Sequence, residues 1–254
     1  MKIITCCKVV PDEEQIQVLP NRKLSMENTP WKISQYDLNA LEAGKTLAAE
    51  TGGTMTALSV GGSTALQATK IQKDILSRGP DDLSLVVDDA HSFSDSLETA
   101  KAIAAALNGC GGFDLALCGT GSSDLYAQEV GIQVGALLGI PAVNNVTAIA
   151  VKGDVLEVER TLEDSMEVLE ITLPAILSLS SEINIPAVPA MREIMRAGKK
   201  PVNTLEVSLA EIVPAVKALE ELAPEQQERR MQVIEGDNDE AVEALLQFLK
   251  KEVL

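Results

Sequence analysis

Phe113-Asp114-Leu115-Ala116-Leu117-Cys118-Gly119-Thr120-Gly121-Ser122-Ser123-Asp124 runs from an apolar stretch into a loop of small and hydroxyl residues, and a helix-patterned segment continues to Gly139. Strand, small-residue loop and helix together present backbone N–H groups and a positive helix end to a phosphate. The glycines permit close backbone approach and positive φ, and Ser122 and Ser123 add hydroxyl donors. Ala127, Gly131, Gly135 and Gly139 recur every four residues, a smooth helix ridge that a neighbouring backbone can approach. Val130, Val134, Leu137 and Leu138 supply the buried stripe beside it. Nucleotide binding is the first expectation. The loop is not a Rossmann fingerprint, which would need a third glycine where Asp124 stands, nor a P-loop, which would need Gly-Lys-Ser/Thr. As an ordinary βα turn it would use Asp124 as the helix N-cap.

Composition narrows the classes. The 254 residues can bury one large core or two modest ones. With 21 basic and 38 acidic residues the formal charge is −17, which repels nucleic acid and anionic membranes. Aromatic content of 2% leaves no row of stacking residues for single strands. No apolar run approaches the ~18–20 residues of a membrane span, and the first residues read as a core strand instead of a signal peptide, so a cytoplasmic chain is expected. Cys6 and Cys7 are adjacent on a strand and point to opposite faces, while Cys110 and Cys118 are too far apart for a Cys-x-x-Cys pair. Reduced, buried thiols are expected, with no metal site.

Apolar runs alternate with amphipathic segments, which signals a largely parallel sheet between helices. Strands are expected at Ile3–Val10, Thr54–Val60, Leu83–Val87 and Asp114–Cys118, and helices at Asp37–Glu50, Thr64–Leu76 and Asp95–Leu107. After Pro141, the short runs Ala142–Val151, Val155–Arg160, Glu167–Thr172 and Ala175–Leu179 predict an antiparallel appendage. From Pro186 sheet character fades: one short helix at Met191–Arg196, proline-punctuated segments, and a final amphipathic helix at Glu240–Lys251. The division expected is therefore 1–185, an α/β nucleotide-binding domain with its appendage, and 186–254, a C-terminal arm. Three strand ends carry unusual residues: Val9-Val10-Pro11-Asp12, Val60-Gly61-Gly62-Ser63-Thr64 and Cys118-Gly119. Two glycine-bearing ends flanking the first strand would form a nucleotide crevice at a topological switch point. His91, the single histidine, reads as a surface residue, and no Gly-x-Ser-x-Gly elbow accompanies it.

One segment carries a family resemblance. Val158-Glu159-Arg160, Glu163-Asp164-Ser165, Glu167, Leu169, Pro174 and Ile176-Leu177-Ser178 resemble the signature of electron transfer flavoprotein β subunits, with Ser165 departing from its expected Gly, Asp or Glu. Lys8-Val9-Val10-Pro11-Asp12, Ser34-Gln35-Tyr36-Asp37, Arg78-Gly79-Pro80-Asp81 and Ile194-Met195-Arg196-Ala197 resemble the family too. The wording Ser123-Asp124-Leu125-Tyr126-Ala127-Gln128 is similar to its bacterial Fix-type branch.

The resemblance implies a Rossmann-like, doubly wound α/β fold of the adenine nucleotide α-hydrolase type, and an electron carrier without acid/base chemistry of its own. It implies pairing with a larger α subunit that holds most of the redox FAD, while the β subunit holds AMP or a second FAD. The partners implied are that α subunit, an acyl-CoA dehydrogenase-like flavoenzyme and a quinone-linked oxidoreductase. Carried onto matching positions, the cofactor site is Cys6, Ser34, Gln35, Tyr36, Asp37, Val60 and the loop Gly119, Thr120, Gly121, Ser122, Ser123, Asp124, Leu125, Tyr126, Ala127, Gln128, Glu129 and Val130. Ser34-Gln35 stands where many members have Asn-Pro, and Glu129 where a glutamine is common. Met191 matches the residue by which a recognition loop docks on the partner dehydrogenase; the other reading of Met191 and Met195 is one turn of a buried helix face. The rival class is a stand-alone ATP-binding protein, of universal-stress-protein or ATP-pyrophosphatase type, the latter hinted at by Ser59-Val60-Gly61-Gly62-Ser63-Thr64.

Overall fold

The computed structural model describes residues 1–225 and 233–252. In chain order the elements are β1 (Lys2–Cys6), β2 (Val9–Pro11), β3 (Gln17–Val18), β4 (Leu24–Ser25), β5 (Trp31–Ile33), α1 (Gln35–Thr51), β6 (Thr54–Gly61), α2 (Ser63–Leu66), α3 (Thr69–Ser77), β7 (Asp82–Val87), α4 (Ser96–Gly109), β8 (Leu115–Gly119), α5 (Val130–Leu138), β9 (Ala142–Lys152), β10 (Val155–Thr161), β11 (Met166–Thr172), β12 (Ala175–Leu179), α6 (Met191–Ala197), β13 (Val202–Thr204) and α7 (Asp239–Glu252).

Nine strands form one sheet in the order β11-β10-β9-β12-β8-β1-β6-β7-β13. From β9 to β13 every neighbouring pair is parallel, whereas β9-β10 and β10-β11 are antiparallel. The chain steps outward from β1 to β6 and β7, then returns to β8 on the other side of β1 and continues to β12. The order reverses between β1 and β8, which is the switch point of a doubly wound fold.

Strand alternation assigns the two faces. Ile4, Cys6, Leu58, Ala116, Cys118 and Ile176 pack with Ala100, Ile103, Leu107 and Val134 of α4 and α5. Ile3, Leu115, Leu117 and Leu177 pack with Ala40, Ala43 and Leu47 of α1 on the opposite face. Cys6 and Cys7 accordingly belong to different cores. All four cysteines are free; Cys110 is half-buried and the others are buried. Burial pushes the Cys118 thiol up to about 12, and the thiol of Cys6 is likewise driven well above its ordinary value.

Several boundaries differ from expectation. The run Ile3–Val10 is two strands, because the chain leaves the sheet after Cys6 and Val9–Pro11 pairs antiparallel with β5. Between them, the Lys8 N–H donates to the buried Asp37 carboxylate and the Lys8 carbonyl accepts from Ser34, which pulls the chain off the ladder. Thr64–Leu76 is two helices, broken at Gln67-Ala68, where the Gln72 side chain caps the Leu66 carbonyl. Ala175–Leu179 is fully buried and pairs in parallel with β8 and β9, so it belongs to the centre of the sheet and not to the appendage. Of the four runs expected in the appendage, β10 and β11 pair only antiparallel, and they extend the same sheet. Leu137 faces outward at 46% exposure, leaving Val134 as the one fully buried residue of the expected stripe.

Past Pro186 the chain returns once to the sheet, as β13 against β7. Leu205, Val207, Leu209 and Ile212 then cover the α4 side of the core. His91 fastens this segment: its Nδ1 lies 3.1 Å from Asp88 Oδ1 and its Nε2 3.2 Å from the Ile212 carbonyl. The expected surface histidine is a half-buried tie. The Asp88 carboxylate and then the Ile212 carbonyl raise its pKa by favouring the imidazolium.

Candidate nucleotide cleft

A cleft opens beyond the carboxyl ends of β1, β6 and β8, on the α4/α5 side of the sheet. Its volume is about 800 Å³, counting the space open to solvent. Cys6, Leu58, Val60, Phe93, Ile103 and Cys118 make an apolar inner wall. The loop residues Thr120, Gly121, Ser122, Ala127, Gln128, Glu129 and Val130 make the polar side. Ser94, Ser96 and Thr99, around the start of α4, close the third side.

Of the residues expected from sequence, Cys6, Asp37, Val60, Gly119, Thr120, Gly121, Ser122, Leu125, Ala127, Gln128, Glu129 and Val130 line this cleft. Ser34, Gln35, Tyr36, Ser123, Asp124 and Tyr126 do not line it; all but Gln35 make contacts that brace the loop from behind. Ser34 Oγ accepts the Ser123 N–H at 3.2 Å. The Tyr36 and Tyr126 rings meet at 4.9 Å between centroids. Asp124 Oδ2 pairs with Lys8 Nζ at 2.6 Å. Partial burial opposes ionisation of Asp124, but the Lys8 charge outweighs it and its pKa is lowered. Asp124 is therefore no helix cap: α5 starts only at Val130, and residues 120–129 are loop.

Asp37 holds the switch point together. Its Oδ1 accepts the Gly119 N–H at 2.9 Å and its Oδ2 the Lys8 N–H at 2.8 Å, so one carboxylate bridges the diverging ends of β1 and β8. Burial raises its pKa to about 6, against those two N–H bonds and the nearby Lys8 charge, which lower it. The bridge leaves no room for a side chain at Gly119, where a Cβ would lie 2.7 Å from the Tyr36 carbonyl carbon.

The loop glycines thus serve packing. Neither Gly119 nor Gly121 has positive φ; the left-handed positions are Tyr126 (φ 48°) and Gln128 (φ 61°). A Cβ on Gly121 would strike the Tyr126 ring at 2.7 Å. Non-glycine residues in that region carry strain that the surroundings must hold in place. The α5 ridge behaves as expected at two positions: Cβ atoms at Gly131 and Gly135 would overlap Ser178 Oγ and Ala142 Cβ. Gly139 is the left-handed C-cap, while Ala127 precedes the helix.

Sequence reasoning missed Phe93, Ser94, Ser96 and Thr99. They come from the loop before α4 and its first turn, a stretch without glycine motif or charge pattern. Lys8 was noticed only as part of a family stretch.

The donor set suits an adenine nucleotide. The Gly119 and Ser123 N–H groups are engaged by Asp37 and Ser34, and that of Thr120 by the Leu179 carbonyl. The first-turn N–H groups of α5 have no acceptor within their own helix, and Val130 and Gly131 face the cleft. Ser122 adds a hydroxyl there, and the apolar wall matches the faces of a base. Among the described residues, Lys8 is the single basic residue of the lining, and it is already paired. Among the described residues, no cluster of three or more His, Cys, Asp or Glu side chains is placed to hold a metal ion, and no described helix is long and apolar enough to cross a membrane.

The signature segment has a structural basis as well. Arg160 and Glu167 face each other across β10 and β11, with Arg160 Nε 2.8 Å from Glu167 Oε2 and the guanidinium also reaching Asn144. Pro174 precedes β12, whose Leu177 and Ser178 lie beside Leu117 and Cys118. The family model for the electron transfer flavoprotein domain matches residues 23–210, well over half of the chain, and spans β4 to β13 with the cleft's loop and its α4 wall. With sheet order, switch-point cleft and signature hairpin in agreement, the chain belongs to the electron transfer flavoprotein family.

Proposed function

We propose that this chain is the β subunit of a cytoplasmic, heterodimeric electron transfer flavoprotein of the Fix-type branch, with AMP or FAD bound in the switch-point cleft. The observation that carries this reading is the cleft between β1 and β8, which offers main-chain donors and an apolar wall in place of a free charged clamp. In it, Cys6 and Val60 present backbone edges to the adenine. Ser122, Gly121 and the first turn of α5 receive the phosphate, while Asp37, Ser34 and Lys8 hold the loop in position. The flavin, carried mainly by the α subunit, would supply the electron-transfer chemistry; this chain orients and shields it and needs no acid or base for that.

An exposed apolar row supports a docking role. Ile185 and Val188 are more than 90% exposed, and Met191 and Met195 are each 71% exposed, so the buried-turn alternative for the two methionines does not hold. A flexible thioether at the tip of such a row suits a transient interface with an acyl-CoA dehydrogenase-like partner. The amphipathic helix α7, with Val242, Leu245, Leu246 and Leu249 exposed, suits wrapping of the α subunit. Co-expression with the cognate α chain tests the reading: a yellow, equimolar heterodimer supports it, and a tight homodimer that ignores any flavoprotein α chain contradicts it.

A further inference from the structure

Glu129 sits at the mouth of the cleft, one residue before α5. Its Oε2 accepts a hydrogen bond from Ser96 Oγ at 2.7 Å, and Gln133 Nε2 reaches both Glu129 Oε2 and Ser96 Oγ at 3.2 Å. Ser96 is the first residue of α4. The triad therefore ties the N-termini of two helices across the opening, and it places a carboxylate where both helix ends favour negative charge. Among the described residues, the acidic and basic side chains lining the cleft are Lys8, Asp37 and Glu129, and Lys8 is neutralised by Asp124. The lining is thus anionic before any ligand enters.

We infer that Glu129, locked by Ser96 and Gln133, is a specificity-determining residue that limits the cleft to adenine nucleotides with a single phosphate. The inference rests on the nucleotide reading above. With the base on the inner wall of Leu58, Val60, Phe93 and Ile103, a first phosphate reaches the loop at Gly121 and Ser122. A second phosphate extends outward, toward the exposed Glu129. There it meets a like charge held in place by two hydrogen bonds, with no free cation among the described residues of the lining to offset it. A diphosphate or dinucleotide can enter only by breaking the lock, losing the Ser96 bond and turning the carboxylate out to solvent.

The test uses the full chain stripped of endogenous nucleotide and titrated calorimetrically with AMP and ADP in metal-free buffer. The wild type should prefer AMP. Glu129→Gln keeps the size and the hydrogen bonds and removes the charge; it should improve ADP binding about tenfold more than AMP binding. Ser96→Ala frees the carboxylate without neutralising it and should narrow the preference by a smaller factor. In case Glu129→Gln does not fold, raising the salt from about 0.05 M to about 0.5 M on the wild type should also narrow the preference. Wild-type protein that binds neither nucleotide overturns the cleft reading itself. Wild-type protein that binds AMP, with an AMP-to-ADP ratio unmoved by Glu129→Gln or salt, overturns the role of Glu129 alone.

Discussion

Replacing Gly119 with alanine puts a single methyl group into the hinge of the switch point. The new Cβ would lie 2.7 Å from the Tyr36 carbonyl carbon and Cβ, and 2.8 Å from Asp37 Oδ1. Carbon–carbon contacts settle at about 3.5–4.0 Å, so the first turn of α1 must retreat by about 1 Å. That retreat takes Asp37 Oδ1 out of reach of the Gly119 N–H, now 2.9 Å away. Overpacking costs about 1–3 kcal/mol, and losing a bond to a buried charge about 1.5–3 kcal/mol. The reduced entropy of the unfolded chain returns less than about 1 kcal/mol, so the net loss is about 2–6 kcal/mol. Urea denaturation of the full chain measures it directly. Gly61→Ala is the control, because at the end of β6 the added Cβ finds only Leu66 at 3.6 Å, an ordinary contact. A Gly119→Ala protein within about 1 kcal/mol of wild type, or no less stable than Gly61→Ala, would refute the reasoning.

Three further outcomes follow from particular side chains. Asp37 has a folded pKa of about 6 against about 3.9 unfolded, so its own contribution to stability should fall by about 3 kcal/mol as pH rises from about 4 through 6. The stability difference between wild type and Asp37→Asn should therefore shift by that amount, against the wild type, across the window, and a difference that does not change with pH would reject the assignment. His91 has a raised folded pKa, so the extra stability of an imidazolium held between Asp88 and Ile212 is fully present below about pH 6.5 and is lost as pH rises through the higher folded value. Hydrogen exchange over residues 205–215 should be faster in His91→Ala than in wild type at about pH 6, and the difference should be smaller at about pH 9. Met191→Ala should slow electron exchange with the partner flavoenzyme while nucleotide content stays constant; lost nucleotide or unaltered exchange would reject docking through this residue.

How much of this was legible in the sequence depended on whether local pattern or distant contact set the geometry. The apolar runs at Thr54, Leu83 and Asp114 lie in largely buried parallel strands, β6, β7 and β8, as their near-continuous apolar composition indicates. The glycine-bearing ends at Gly61 and Gly119 do flank β1, so the crevice was visible as a crossing of strand ends. What local pattern could not show is that Asp37, from α1, would pull the chain off β1 at Lys8. Nor could it show that residues 120–129 would stay out of a helix, held by Lys8, Ser34 and the tilted tyrosine pair. Ala175–Leu179 misled because a short buried run reads the same in parallel and antiparallel pairing, and only its lateral partners β8 and β9 decide. The α4 wall was invisible for a related reason: Phe93, Ser96 and Thr99 form a surface only once α4 packs beside α5.

Extraction of the small molecule bound to the purified full-length chain, identified and quantified by mass, bears most directly on the switch-point cleft. An adenine nucleotide recovered in equimolar amount, and missing from a Gly119→Ala protein that still folds, is the predicted result. A wild-type chain that carries no adenine nucleotide and takes none up, though folded and paired with a flavoprotein partner, would contradict it.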